Sequence, residues 1–175
     1  TIAAMLHGYG QERGLGFIIS AATARSFAEN MSAAYNLIPF GSYFRTVLDL
    51  VITFDPDSSL LAPLREVYGD SIDSAPELKN FLLGSDGRTK PATRDLNTPN
   101  VLNSALFGRA EAMQTSLNTW EPPLGLEIIQ LAGWGLDTLA GINYRERETW
   151  CRIPLVCSDK KTFDPRPNMV VDGDG

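Results

Sequence analysis

Near one end of the chain, Val170-Val171-Asp172-Gly173-Asp174-Gly175 runs an apolar strand end into carboxylates separated by glycines. An acid on the loop just after a strand is held rigidly yet stays within reach of solvent. Hydrolases use that placement to steady a catalytic histidine. Asp172-Gly173-Asp174-Gly175 also looks like the opening of a calcium loop, but the later ligands that would complete the coordination are missing, so no metal is expected. The single histidine, His7, lies far upstream beside glycines, a setting that suits a surface or helix-end residue better than a catalytic base. Gly84-Ser85-Asp86-Gly87 lacks the spacing and the preceding strand of a nucleophile elbow. No zinc-protease, phosphate-loop or dinucleotide pattern occurs, and no cofactor is expected. Covalent ester chemistry needs a serine activated by a histidine base, and neither stands in a recognisable place. The 175 residues are therefore expected to belong to a longer enzyme and to be inactive by themselves.

Cys151 and Cys157 flank Arg152-Ile153-Pro154-Leu155-Val156. They could bridge a short hairpin in an exported protein, or remain free or half-buried thiols. A closed zinc site wants four ligands, and no histidine lies near them. The compartment is not given by the residues, a secreted or envelope-associated protein being the preferred reading.

An apolar content of 43% with 21% charged residues is that of a globular protein rather than a disordered tail. No apolar run approaches the ~18 residues needed to cross a bilayer. The net charge of −6 argues against a nucleic-acid surface, and Arg145/Arg147 and Lys160/Lys161 read as solvated faces.

The elements that must position these groups follow from periodicity. The first six residues are helix-compatible. A second helix is expected from Ser20 as N-cap, with Ala24, Phe27, Ala28 and Met31 on one face. Residues 43–54 fit helix or strand equally. Asp55-Pro56-Asp57-Ser58-Ser59 is a turn by its chemistry. Short helices are expected over 60–68 and 75–83, then a polar loop over 84–97 as the most flexible-looking stretch. Thr98-Pro99 is expected to open the clearest helix. Its stripe of Leu102, Leu106, Ala110, Met113, Leu117 and Trp120 should face the core, until Glu121-Pro122-Pro123 ends it. Residues 126–131 read as a largely buried strand, 142–150 and 152–157 as a hairpin-like excursion, and 168–171 as a last short strand. The class is α/β, with helices first and strands last.

Three segments then carry a resemblance. Phe27-Ala28-Glu29-Asn30-Met31-Ser32-Ala33-Ala34-Tyr35-Asn36-Leu37-Ile38-Pro39 resembles the A-x-N-M-P-x-x-Y-x-L-L-P segment of α/β-hydrolases related to lecithin:cholesterol acyltransferase. Ile129-Gln130-Leu131-Ala132-Gly133-Trp134-Gly135-Leu136-Asp137-Thr138 is similar to that family's I-x-G-x-G-x-x-T, and Val171-Asp172-Gly173-Asp174-Gly175 to its G-D-G-T-V. The order of the three is the family's. Ser32 departs from a frequent proline, and Gln114 stands where similar bacterial sequences carry histidine.

The resemblance implies an α/β-hydrolase fragment, a mostly helical cap plus C-terminal strands of the core sheet. Residues 1–15 would end a core segment, 16–123 form the cap or lid, and 124–175 supply late core strands ending at the acid loop. Asp174 would be the triad acid, preferred over Asp172 because it precedes the glycine matching the family's D-G-T-V. The remainder of the parent hydrolase would supply the serine upstream and the histidine downstream, and the substrate would be a lipid or other ester. Trp134 and Trp120 are candidates for an apolar acyl pocket. The other reading is a non-catalytic binding or interaction module presenting apolar helices to a partner or lipid surface. Without earlier strands, residues 126–131 would expose a sheet edge and an apolar face.

Overall fold

The computed structural model describes residues 1–8, 19–47, 50–129, 135–149 and 160–173. Among these, helices α1 (Ile2–His7), α2 (Ala21–Asn30), α3 (Ser32–Tyr35) and α4 (Tyr43–Thr46) precede strand β1 (Ile52–Phe54). Helix α5 (Ala62–Tyr68), strand β2 (Ser71–Ile72) and helices α6 (Ala75–Leu83) and α7 (Ser104–Asn118) follow. Strands β3 (Leu136–Thr149) and β4 (Lys160–Gly173) complete the described elements. The sheet runs β2-β1-β3-β4. β1 is antiparallel to β2 and parallel to β3, with Ile52 opposite Ile142 and Phe54 opposite Tyr144. β3 and β4 form a long antiparallel ladder, from Leu136 opposite Gly173 to Thr149 opposite Lys160. The class is thus α/β, as the sequence led one to expect, with helices packed on a sheet that is mixed and not purely parallel.

The core forms where the alternating strands meet the helices. Ile52 and Phe54 of β1 and Ile142 and Tyr144 of β3 are buried, while Thr53 between the first two is only half-buried. Met5 and Leu6 of α1, Tyr35 of α3, and Leu78, Phe81 and Leu82 of α6 close over them. Phe54 stacks on Tyr144 at 5.8 Å between ring centroids, and Phe81 tilts against both. Each such aromatic contact adds about 0.5–1.5 kcal/mol beyond the area it buries.

Local chemistry set several boundaries as expected. Ser20 caps α2 by accepting from the Thr23 amide at 3.1 Å, and Ser74 caps α6 through Glu77. Proline sits in the first turn of both α5 and α6, where its missing amide costs nothing. Asp55 holds the following turn by accepting from the Asp57 amide. The ambiguous stretch from Tyr43 resolves into both options, one turn of helix and then β1.

Other expectations need correction. α7 begins at Ser104 and not at Thr98-Pro99, because the Asn103 side chain accepts from the amides of Ala105 and Leu106. The expected stripe is buried only at first: Leu102 and Ala110 are inside and Leu106 is half-buried, while Met113, Leu117 and Trp120 run on past the core into solvent; Phe107, outside the stripe, is the aromatic that is buried. On α2, Phe27 and Met31 are exposed, and the inner face instead carries Ala24, Arg25 and Glu29. Residues 84–97 are tied down: the Arg25 guanidinium donates to the carbonyls of Ala92, Thr93 and Asp95.

Residues 126–129 are not strand, and the sheet of the described residues is built from β1 to β4 without them. Leu126, Ile128 and Ile129 are exposed, so the expected burial of this segment is not found, and residues 130–131 lie outside the described residues. Residues 168–171 belong to the much longer β4, which also contains Pro165 and Pro167. Prolines are tolerated there because β4 is an edge strand. The hairpin is real, but its second strand is β4; residues 152–157, with Cys151 and Cys157, lie outside the described residues.

Candidate functional site

α1, the turn after α3, α4, β3 and β4 surround an open cleft of about 860 Å³. That lies within the usual range for pockets that take small organic ligands, roughly 300–1,000 Å³. Its walls are chiefly aliphatic: Ile2 and Ala3 from α1, Leu37, Ile38 and Pro39 after α3, and Leu139 and Val170 from the two long strands. α7 contributes Gln114, whose amide nitrogen donates to the carbonyl of Asn36 at 2.8 Å and so pins the helix to the cleft rim. Gly141 stands on the floor, where an added Cβ would come within 2.6 Å of the Leu50 carbonyl oxygen. Glycine at this point lets β3 close on the segment leading into β1.

The expected acid, Asp174, lies outside the described residues, as does Trp134. What is described is the strand that leads there: β4 carries Val170 in the cleft wall and ends at Gly173, one position before Asp174. Trp120 does not line the cleft; it stands beyond the end of α7 with 55% of its surface exposed.

His7 ends α1 as anticipated, but it is buried and not on the surface. Its Nδ1–H donates to the Leu96 carbonyl at 2.7 Å, which leaves Nε2 to accept from the Tyr144 hydroxyl at 2.6 Å. Burial lowers its pKa to about 4; the Leu96 carbonyl pulls the other way, and the positive charge of Arg25 adds to the depression. Burial also raises the Tyr144 pKa, so the pair is neutral at ordinary pH. With both ring nitrogens committed and no serine on either, His7 is a structural tie between α1, β3 and residues 84–97.

A second polar group lies beneath α2. Glu29 accepts from the Lys90 ammonium at 2.8 Å and from the Asn100 side-chain amide, which also donates to the Met5 carbonyl at 3.2 Å. The Asn100 side-chain oxygen is buried without a hydrogen-bond partner among the described residues. On the sheet's far end Glu146 accepts from Ser58, from Ser59 and from the Leu60 amide, and pairs with Lys161 at 2.5 Å. Lys161 also lies 3.3 Å from the Ser59 hydroxyl. It cannot serve that serine as a base, because Glu146 holds its pKa above the ordinary value and keeps it protonated. Among the described residues no group of His, Cys, Asp and Glu is placed to hold a metal ion. No helix there is long and apolar enough to cross a membrane.

Sequence reasoning missed the cleft itself and the burial of Arg25 and Glu29.

A scan against family models and searches of curated proteins and of solved structures returned no match to this chain.

Proposed function

We propose that this chain is the cap and acid-bearing portion of a serine hydrolase or acyltransferase that acts on lipid or other ester bonds. One observation supports the reading: two of the three segments that resemble the lecithin:cholesterol acyltransferase-like family contribute residues to one apolar cleft, and the strand leading into the third lines it too. Asn36, Leu37, Ile38 and Pro39 of the first segment line it, Thr138 of the second lines it, and Val170 lines it immediately before the third. An aliphatic cleft is where the acyl part of an ester would be desolvated.

In this reading Asp174 fixes the tautomer of a histidine and stabilises its imidazolium, without itself taking the proton. The histidine and the nucleophilic serine come from polypeptide outside these 175 residues, and the helices within 16–123 cover the site, while β1 and β2 of that span join the sheet. Labelling with a fluorophosphonate tests this. The 175-residue chain should take no label and turn over no ester. A longer polypeptide that contains it should be labelled at one serine outside it. Label on a serine within these residues, or none in the longer polypeptide, would defeat the reading.

The second reading, a non-catalytic module that grips a partner or lipid surface, is favoured by the exposure of Phe27 and Met31 on α2 and of Met113 and Leu117 on α7. A longer polypeptide that binds lipid vesicles yet has no reactive serine would favour it.

A further inference from the structure

The outer face of α7 carries charges in a symmetric arrangement that neither functional reading uses. Arg109, Met113, Leu117 and Trp120 fall at i, i+4, i+8 and i+11, which places them on one side of the helix. Trp120 lies just past Asn118, but its amide still donates to the Leu117 carbonyl, so it stays on the helical course. All four are exposed, whereas Phe107 and Ala110 on another side pack into the core. Ala112 and Ser116, also exposed, are small enough to let a second helix come close. Two charges bracket the apolar part: Arg109 precedes Met113, and Glu121 follows Trp120. Both are exposed, and neither is in an ion pair among the described residues. Glu111, the acid within α7, is already paired with Lys79. At 1.5 Å of rise per residue Arg109 and Glu121 stand about 18 Å apart, too far to meet within one chain.

A copy turned end for end changes that. Thr115 lies midway between the two charges in sequence, so an antiparallel second α7 crossing there sets an acid against each Arg109. Met113 and Leu117 of both copies then fill the space between the two ion pairs. We infer that the outer face of α7 is a self-association surface, through which two copies of this chain pair antiparallel, Arg109 of each on Glu121 of the other. An anionic lipid surface fits the face less well: no Lys or Arg stands between Arg109 and Arg145, while Glu111, Glu121 and Glu127 do. The complement that each charge needs is carried by the chain itself. Half-exposed side chains of this size offer on the order of 100 Å² each, so the two faces would bury about 1,000 Å² in all, the low end for specific interfaces. A dimer with Kd on the order of 10 μM is therefore expected. This pairing depends on neither reading of the function.

Sedimentation velocity of the 175-residue chain between about 1 and 200 μM should show monomer passing into dimer. Met113→Glu combined with Leu117→Glu should keep the chain monomeric throughout, while circular dichroism shows it folded, since both side chains point away from the core. Arg109→Glu and Glu121→Arg should each weaken association at least about tenfold, because each reversal sets like charges together at both ends of the pair. Both reversals in one chain restore opposite charges across the dimer and should return the affinity to within about threefold of the original. That rescue is the discriminating result, because the two positions cannot touch within one copy. A chain that stays monomeric at about 200 μM would overturn the inference, whether or not phosphatidylcholine vesicles capture it. So would a dimer that survives Met113→Glu with Leu117→Glu, or single reversals that have no effect or are not rescued by the double variant.

Discussion

His7 and Tyr144, 137 positions apart in the chain, share a hydrogen bond of 2.6 Å deep in the core, their rings meeting edge to face at 5.4 Å. The bond joins the end of α1 to the centre of β3, and the other ring nitrogen reaches Leu96. One neutral imidazole therefore fastens three parts of the chain that sequence distance keeps apart.

The first prediction concerns acid. The folded-state pKa of His7 is depressed to about 4 from 6.5, so between those values the unfolded chain binds a proton that the folded chain refuses. Stability is complete above the unfolded value and falls as pH drops through this window. By linkage the loss reaches about 3 kcal/mol. Urea unfolding at a series of pH values should show that slope, and His7→Gln should flatten it. An unchanged slope in the variant would remove His7 as its source.

Glu146 makes a separate, lower window. Lys161 first, then the Leu60 amide, hold its pKa down at about 2, against an ordinary 4.5. Its contribution is present above the ordinary value and disappears as pH falls toward the folded one. Glu146→Gln should therefore lower Tm at neutral pH and shallow the acid limb below His7's range, as thermal melts would record. Equal acid limbs in both proteins would contradict the assignment.

Gly8 closes α1 in the left-handed region at φ 66°, and a Cβ there would lie 2.1 Å from the Ala21 carbonyl oxygen. Gly69 has φ 71° with nothing within 4 Å of the same added atom. Gly69→Ala should cost about 2–3 kcal/mol from dihedral strain alone, since its ψ of −155° puts it in a region that glycine almost alone populates, and Gly8→Ala more, because the backbone overlap adds to its strain. Denaturant midpoints give the comparison; equal losses would mean that α2 yields freely.

Asn103→Ala should remove the α7 cap at a cost of about 1 kcal/mol, with Asn103→Ser keeping most of it. Far-ultraviolet circular dichroism during unfolding would report it.

These cases also show what could be read in advance. α5, α6, the Ser20 cap and the turn at Asp55 depend on side chains bonding to their own neighbours, and such chemistry is visible in a short window. The start of α7 was misplaced because Thr98-Pro99 and Asn103 both offer capping chemistry, and packing decides: Leu102 donates its amide to the Leu82 carbonyl before the helix begins. The length of β4 was hidden because Pro165 and Pro167 argue against a strand unless its place at the sheet edge is known. Burial of Arg25 was equally hidden, since its partners are carbonyls of residues 92–95. The cleft needed tertiary structure altogether: its walls come from both ends of the chain, Ile2 and Val170 among them.

The proposed role of the acid is tested most directly by ester turnover in a longer polypeptide containing this chain, with Asp174→Asn compared against Asp172→Asn. The expected result is a fall in kcat on the order of 10⁴-fold for Asp174→Asn and a change within about tenfold for Asp172→Asn, both variants folding normally. Full turnover in Asp174→Asn, or equal losses in the two, would contradict it.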